Sequence, residues 1–216
     1  HRALASTAGL GSQRLAAVAR GARMTTAAGL RLALDCSTSY LALALVDERG
    51  ATVHTSTREV GRLHAALVTI ELTELFARAG APRTAVAEVR VGIGPGSYTG
   101  VRVAVAAAKG LGRAWNVDVR GVYSMLAQAG PELAVDERAI VTTDARKGNV
   151  YVHPCTRRAG GAGRAATVVA LGPPRKVARE SLAEHYPGWR LLESGPPDAA
   201  VLAATGDTGR AEPLYL

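Results

Sequence analysis

The chain is poor in cysteine, in lysine and in long apolar runs, and each shortage removes a class of function. Two cysteines in 216 residues, Cys36 and Cys155, lie too far apart for a local zinc or redox motif and are too few for a disulfide framework. A reducing cytoplasm is the expected setting. The longest apolar stretches, Leu41 to Val46 and Thr167 to Leu171, fall far short of the roughly 20 residues that a membrane-spanning helix requires. No membrane partner is expected. Only Lys109, Lys147 and Lys176 are lysines among 26 basic residues, so arginine carries almost all of the formal charge of +8. Acidic residues are missing from residues 1–23, which hold Arg2, Arg14, Arg20 and Arg23; from Met24 onward 22 basic residues face 18 acidic ones. Charge alone therefore permits contact with nucleic acid without arguing for it.

What is present is a chain with 48% hydrophobic residues, enough to bury a substantial core. Residues 1–23 have the Ala/Arg/Gly/Ser bias of an organellar leader. Met24, followed by a short polar lead and then a strand, reads instead as a native start, so residues 1–23 are taken as upstream or added sequence outside the core.

Three strands are predicted over Leu30–Asp35, Tyr40–Asp47 and Ala51–Glu59, separated by short polar turns. A helix over residues 62–79, a strand over 88–93, a glycine-rich turn, a helix over 99–114 and a strand over 118–121 follow. The order βββαβαβ is that of a ribonuclease-H-like half. The pattern restarts at Ala139–Thr143, where an apolar strand again ends on an aspartate, Asp144, turns through polar residues and returns as Asn149–Pro154. Beyond a glycine-rich surface loop at residues 159–163, a strand over 165–171, a helix over 174–186, a strand over 189–192 and a short helix over 198–204 are expected. The expected division is a first lobe over residues 24–121 and a reduced second lobe over 122–216.

The most distinctive run is Gly92-Ile93-Gly94-Pro95-Gly96-Ser97-Tyr98-Thr99-Gly100-Val101-Arg102. It is not a dinucleotide fingerprint, because Ser97 holds the third glycine position, and it lacks the Gly-Lys-Ser/Thr ending of a Walker A loop. Its glycines permit positive φ and close backbone approach at a strand-to-helix turn, and Ser97 or Thr99 can cap the helix. An anion could bind there; a tight, well-capped connection explains the same residues.

This run closely resembles the signature of the TsaB (YeaZ) family, a strand leading into Gly-Pro-Gly-Ser-Phe/Tyr-Thr-Gly-Val-Arg. Leu34-Asp35 with Ser37-Thr38, His64, Asp144-Ala145-Arg146 with Gly148 and Val150-Tyr151, and Glu212-Pro213-Leu214-Tyr215-Leu216 agree with it in order. The resemblance runs from about Leu30 to Leu216. It implies an α/β protein with two ribonuclease-H-like lobes of the actin, sugar kinase and Hsp70 superfamily. It also implies a non-catalytic subunit that pairs with TsaD in the complex that transfers a threonylcarbamoyl group to the adenosine next to the anticodon of tRNA. TsaC supplies threonylcarbamoyl-adenylate and TsaE is an ATPase, so ATP is used by the complex and no cofactor is expected on this chain. Isolated members of the family tend to self-associate as dimers.

A metal-bearing TsaD-like subunit would need histidines one helical turn apart. His1, His54, His64, His153 and His185 include no such pair, so no metal is expected. Superfamily kinases hold phosphates with an Asp-x-Gly-Thr/Ser hairpin, where this chain has Asp35-Cys36-Ser37-Thr38. No Gly-x-Ser-x-Gly elbow is present, and no catalytic residue is assigned. The rivals are an ATP-binding phosphotransferase of the same superfamily and a sequence-independent RNA binder.

Two surfaces are candidates for a partner. Gly100, Ala104, Ala108 and Gly112 recur every fourth residue and leave a helix face with almost no bulk, fit for close helix-to-helix approach or for packing inside its own domain. Leu63, Leu67 and Ile70 form a second face on the preceding helix, beside Glu71 and Glu74.

Overall fold

Alternating leucine and alanine along the first two strands determines the layering of the molecule. A computed structural model describes residues 29–129, 133–206 and 208–216; the expectation for residues 1–23 lies outside them. Strands β1 (Leu30–Asp35), β2 (Tyr40–Val46) and β3 (Thr52–Glu59) form the expected antiparallel meander. Successive side chains on a strand point to opposite faces. Leu30, Leu32, Leu34, Leu41, Leu43 and Leu45 accordingly enter one core, while Ala33, Ala42 and Ala44 face a second.

The leucine side is covered by helices α1 (His64–Ala79) and α2 (Tyr98–Trp115). Each fully buried leucine contributes roughly 1.5–3 kcal/mol. Strands β4 (Val86–Gly92) and β5 (Asp118–Val122) run parallel to β1, giving the order β3-β2-β1-β4-β5. Helix α1 stops at Gly80 in the left-handed conformation (φ 60°), a glycine C-terminal cap. Helix α2 starts at Ser97, whose Oγ accepts from the Gly100 amide at 3.2 Å, and stops at Asn116 (φ 55°).

The second sheet repeats the start of the first. Strand β6 (Arg138–Asp144) pairs antiparallel with β7 (Asn149–Arg158), as β1 does with β2. Strands β8 (Thr167–Ala170) and β9 (Arg175–Ala178) both pair antiparallel with β7, at its far and near ends, and β10 (Arg190–Glu193) runs parallel to β6 as β4 does to β1. Helices matching α1 and α2 are replaced by the single-turn α3 (Leu182–His185), and α4 (Ala199–Ala204) follows β10.

Two expectations are corrected. The helix predicted over residues 174–186 is β9, a 3-10 turn at Arg179–Ser181 and α3. Pairing with Asn149–Val152 of β7 supplies Arg175–Ala178 with backbone partners that a local helix would otherwise provide. The division at residue 121 also fails to hold the chain apart. Helix α4 lies on the alanine side of the first sheet, the approach those small side chains permit. Arg31 Nη1 donates to the Ala203 carbonyl at 2.8 Å and the Arg90 guanidinium to the Thr205 carbonyl. Ala211 is then buried in the leucine core, and Leu214 donates its amide to the Ile93 carbonyl at 2.7 Å. Residues 199–216 thus complete the first lobe.

Candidate functional site

Asp35 ends β1 and organises the turn that follows. Its Oδ1 accepts from the Ser37 amide at 2.8 Å and from Ser37 Oγ at 2.7 Å. Asp144 ends β6 in the same way, with Oδ1 accepting from the Arg146 amide at 3.3 Å. The two halves therefore use one turn, but in opposite environments: Asp35 is fully buried and Asp144 exposed.

Between these turns lies a cleft of about 860 Å³. One wall is Ser37-Thr38, the start of α1 at Arg62 and His64, and the residues Gly96–Gly100 that lead into α2; the other is Thr143–Arg146. The glycines of the first wall act chiefly through close approach. A Cβ on Gly96 would overlap the Ser37 carbonyl, and one on Gly100 the Cys36 carbonyl. Only Gly94 in this run has a positive φ, 95°. The Ser97 amide donates to the Ser37 carbonyl at 2.6 Å, and the Gly94 amide donates to Ser124 Oγ at 2.9 Å. On the facing wall Arg146, Lys147 and Gly148 are successive left-handed residues (φ 64°, 52° and 76°). Arg62 and Arg146 are cations on the cleft wall and Asp144 is its carboxylate.

Asp35 does not open into this cleft. Gly92 and Ser124 close over its Oδ2, which has no hydrogen-bond partner among the described residues. Burial pushes the carboxyl above its ordinary range, against the nearby Ser124 and Ser37 hydroxyls and the Ser37 amide, which pull it down. The Cys36 thiol is raised by burial and by Asp35, and burial pushes Cys155 up to about 12, so neither is a ready thiolate. His64 is buried with Nε2 3.1 Å from the Tyr40 carbonyl and anchors α1 to β2.

A family model described as TsaD, tRNA N6-adenosine threonylcarbamoyltransferase, matches residues 51–184. The tRNA threonylcarbamoyladenosine biosynthesis protein TsaB of Haemophilus influenzae is 34% identical over 128 residues, 58% of this chain and 53% of its own length. The chain belongs to the TsaB/YeaZ branch of the TsaD-like family. It spans about half the length of the TsaB relatives from H. influenzae and Escherichia coli that it matches. An uncharacterized Mycobacterium tuberculosis protein is 32% identical over 190 residues, covering 85% of this chain and 88% of the relative. YeaZ from Pseudomonas aeruginosa superposes with a TM-score of 0.70 at 24% identity, over 87% of this chain and all of that one. The fold is thus shared with YeaZ: two α/β lobes, each built on a five-stranded sheet, with the helices of the second lobe reduced.

The segments that carry the TsaB/YeaZ resemblance meet at the cleft, where Gly96–Gly100 of the first lines one wall and Asp144–Arg146 of the second lines the other. The small-residue stripe on α2 is corrected from a partner surface to a core contact. Ala104 and Ala108 are fully buried in the leucine core, and a Cβ on Gly112 would overlap the Val119 side chain. Bulk is missing because the helix lies tight on its own sheet. The α1 face is different: Leu63 and Ile70 are 59% and 51% exposed, while Leu67 is partly buried against the core. Missed in the sequence were Ser124, which has no motif, and the stacking of Tyr98 on Tyr215 at 5.2 Å, which joins two segments of the resemblance that lie 117 residues apart.

Proposed function

We propose that this chain serves in tRNA threonylcarbamoyladenosine biosynthesis as a non-catalytic subunit that pairs with a TsaD-like protein. The complex transfers a threonylcarbamoyl group to the adenosine next to the anticodon. A TsaC-like synthase supplies the activated group, a TsaE-like ATPase uses ATP, and the chain in isolation forms a homodimer. The setting is the cytoplasm, where tRNA is modified.

The observation that carries this reading is the enclosure of Asp35. In a phosphotransferase of this architecture the first-strand carboxylate must reach phosphate or its metal. Here it is fully buried, turned onto Ser37 and walled off by Gly92 and Ser124. Support for pairing comes from α1, where Leu63 and Ile70 stand exposed beside a polar rim, a composition suited to a protein interface.

A second reading, an ATP-binding phosphotransferase, is favoured by the open cleft with Arg62 and Arg146 on its walls. Co-expression with the TsaD-like protein of the same genome, followed by size exclusion, separates the two. The pairing reading expects a stable complex that Leu63→Asp with Ile70→Asp dissolves. No complex, together with metal-dependent ATP turnover lost in Asp35→Asn, would establish the phosphotransferase instead.

A further inference from the structure

Helix α2 has a second face, turned away from both the core and α1. At about 100° per residue, Tyr98, Arg102, Lys109 and Arg113 fall within an arc of about 60° and span about 22 Å along the axis. All four are exposed, as is Ala106 between them. The helix contains no aspartate or glutamate, so nothing on it neutralises this row. At its far end Lys109 joins Arg120 and Arg210 around a depression of about 420 Å³ on the β5 edge. Of the two acids there, Asp118 is already paired with Arg120 at 3.2 Å, leaving Glu212.

The near end of the row is aromatic. Tyr98 and Tyr215 are 59% and 56% exposed, with ring centroids 5.2 Å apart and planes tilted by 33°. Arg102 lies 5.2 Å from the Tyr98 ring centroid and donates to its hydroxyl at 2.6 Å, leaving further N–H donors free. A track of cations ending in an exposed aromatic platform matches the two demands of unpaired nucleic acid, phosphate neutralisation and base stacking. A protein partner would call for an apolar centre depleted of charge, and this face has only Ala106 between its cations.

We infer that the Tyr98, Arg102, Lys109 and Arg113 face of α2, with Tyr215, docks the phosphate backbone and an unpaired loop of tRNA. That the RNA is tRNA rests on the pathway proposed above; the docking chemistry rests on this face alone. It lies apart from Leu63 and Ile70, so one chain can hold RNA and a protein partner at once.

The test uses the full chain and an unmodified tRNA transcript in filter binding between 50 and 200 mM salt. The triple variant R102E/K109E/R113E should bind at least tenfold more weakly at 50 mM salt. It should also lower the slope of log K against log salt by about 2 to 3, at an unchanged melting temperature. The charge-matched variant R49E/R175E/K176E should change affinity less than threefold. Y98A/Y215A should weaken binding of an anticodon stem-loop but not of a fully paired RNA of equal length. If the triple reversal unfolds the chain, R102Q/K109Q/R113Q carries the same expectation at smaller amplitude.

Absence of tRNA binding by the unaltered chain at 50 mM salt overturns the inference, as do equal losses in both charge-reversed variants. So does loss of the TsaD-like partner with tRNA binding kept, which would make this face a protein interface. Retention of that partner by L63D/I70D would instead overturn the pairing surface and leave RNA docking standing.

Discussion

Gly92 passes so close beneath Asp35 that a Cβ at this position would overlap the carboxylate Oδ2 and crowd the Ser124 hydroxyl. The end of β4, the end of β1 and the turn after β5 are thereby pinned at one point. Gly92→Ala is expected to destabilise the protein by about 3 kcal/mol or more, because the atoms it meets belong to buried groups with no free direction of retreat. Ser124→Ala leaves the Gly94 amide without its acceptor and should cost about 1–3 kcal/mol. Urea denaturation of both variants checks the order; a Gly92→Ala protein as stable as the parent would refute the packing described.

The stripe on α2 and the face of α1 make opposite predictions. Ala104→Trp places an indole in the leucine core and should lower stability by at least about 1–3 kcal/mol, with loss of association following only from unfolding. Leu63→Asp with Ile70→Asp should leave the melting temperature within a degree or two and remove association. Thermal melts paired with size exclusion distinguish the two.

His153 makes the protein acid-sensitive. Its ring is fully buried in β7, with Nε2 3.0 Å from the Gly172 carbonyl, Nδ1 without a partner among the described residues, and the Tyr123 ring edge-on at 5.0 Å. Burial lowers its pKa from 6.5 to about 4. The unfolded chain therefore binds the proton first. Stability is unaffected above about pH 6.5 and falls by about 1.4 kcal/mol per unit as pH drops toward 4, about 3 kcal/mol in all. The raised pKa of Asp35 acts in the reverse sense, costing stability as pH rises above its ordinary range of about 4. His153→Phe should flatten the acid limb between pH 6.5 and 4, with a pH-independent loss from the unpaired Gly172 carbonyl. A His153→Phe protein that loses as much stability between pH 6.5 and 4.5 as the parent would contradict this.

Two arginines hold α4 against the first sheet. Arg31 and Arg90 donate to the Ala203 and Thr205 carbonyls at the end of that helix, where the last carbonyls lack partners of their own. Arg90→Leu is expected to cost about 1–3 kcal/mol and to raise amide exchange in residues 199–205 before it does so in β7. Uniform exchange across both segments would show that α4 is not a separately opening unit.

The first lobe was legible in the sequence to within a residue or two at each element, because its strands alternate cleanly and its helices carry long apolar periods. The second lobe was less so. Its helix at 174–186 dissolved into β9 and single turns, since the strand pairing that decides it involves β7, some 25 residues earlier. The cleft walls lay within visible motifs, Gly96–Gly100 in the glycine-rich run and Asp144–Arg146 after β6, but their meeting was not visible, nor was the burial of Asp35 beneath Gly92. The stripe of Gly100, Ala104, Ala108 and Gly112 shows the limit: smallness reports close approach, and only the fold says that the neighbour is Cys36 and Val119 of the same chain.

The return of residues 199–216 to the first sheet has a consequence for synthesis. Ala33, Ala42 and Ala44 are made well before Leu202 and Ala203, which pack over them, and the leucine core lacks Ala211 until the second sheet has been synthesised. The first lobe is started before β6–β10 are made and closed after them, so a nascent chain stalled before residue 199 exposes the sheet face that Ala199–Ala204 covers.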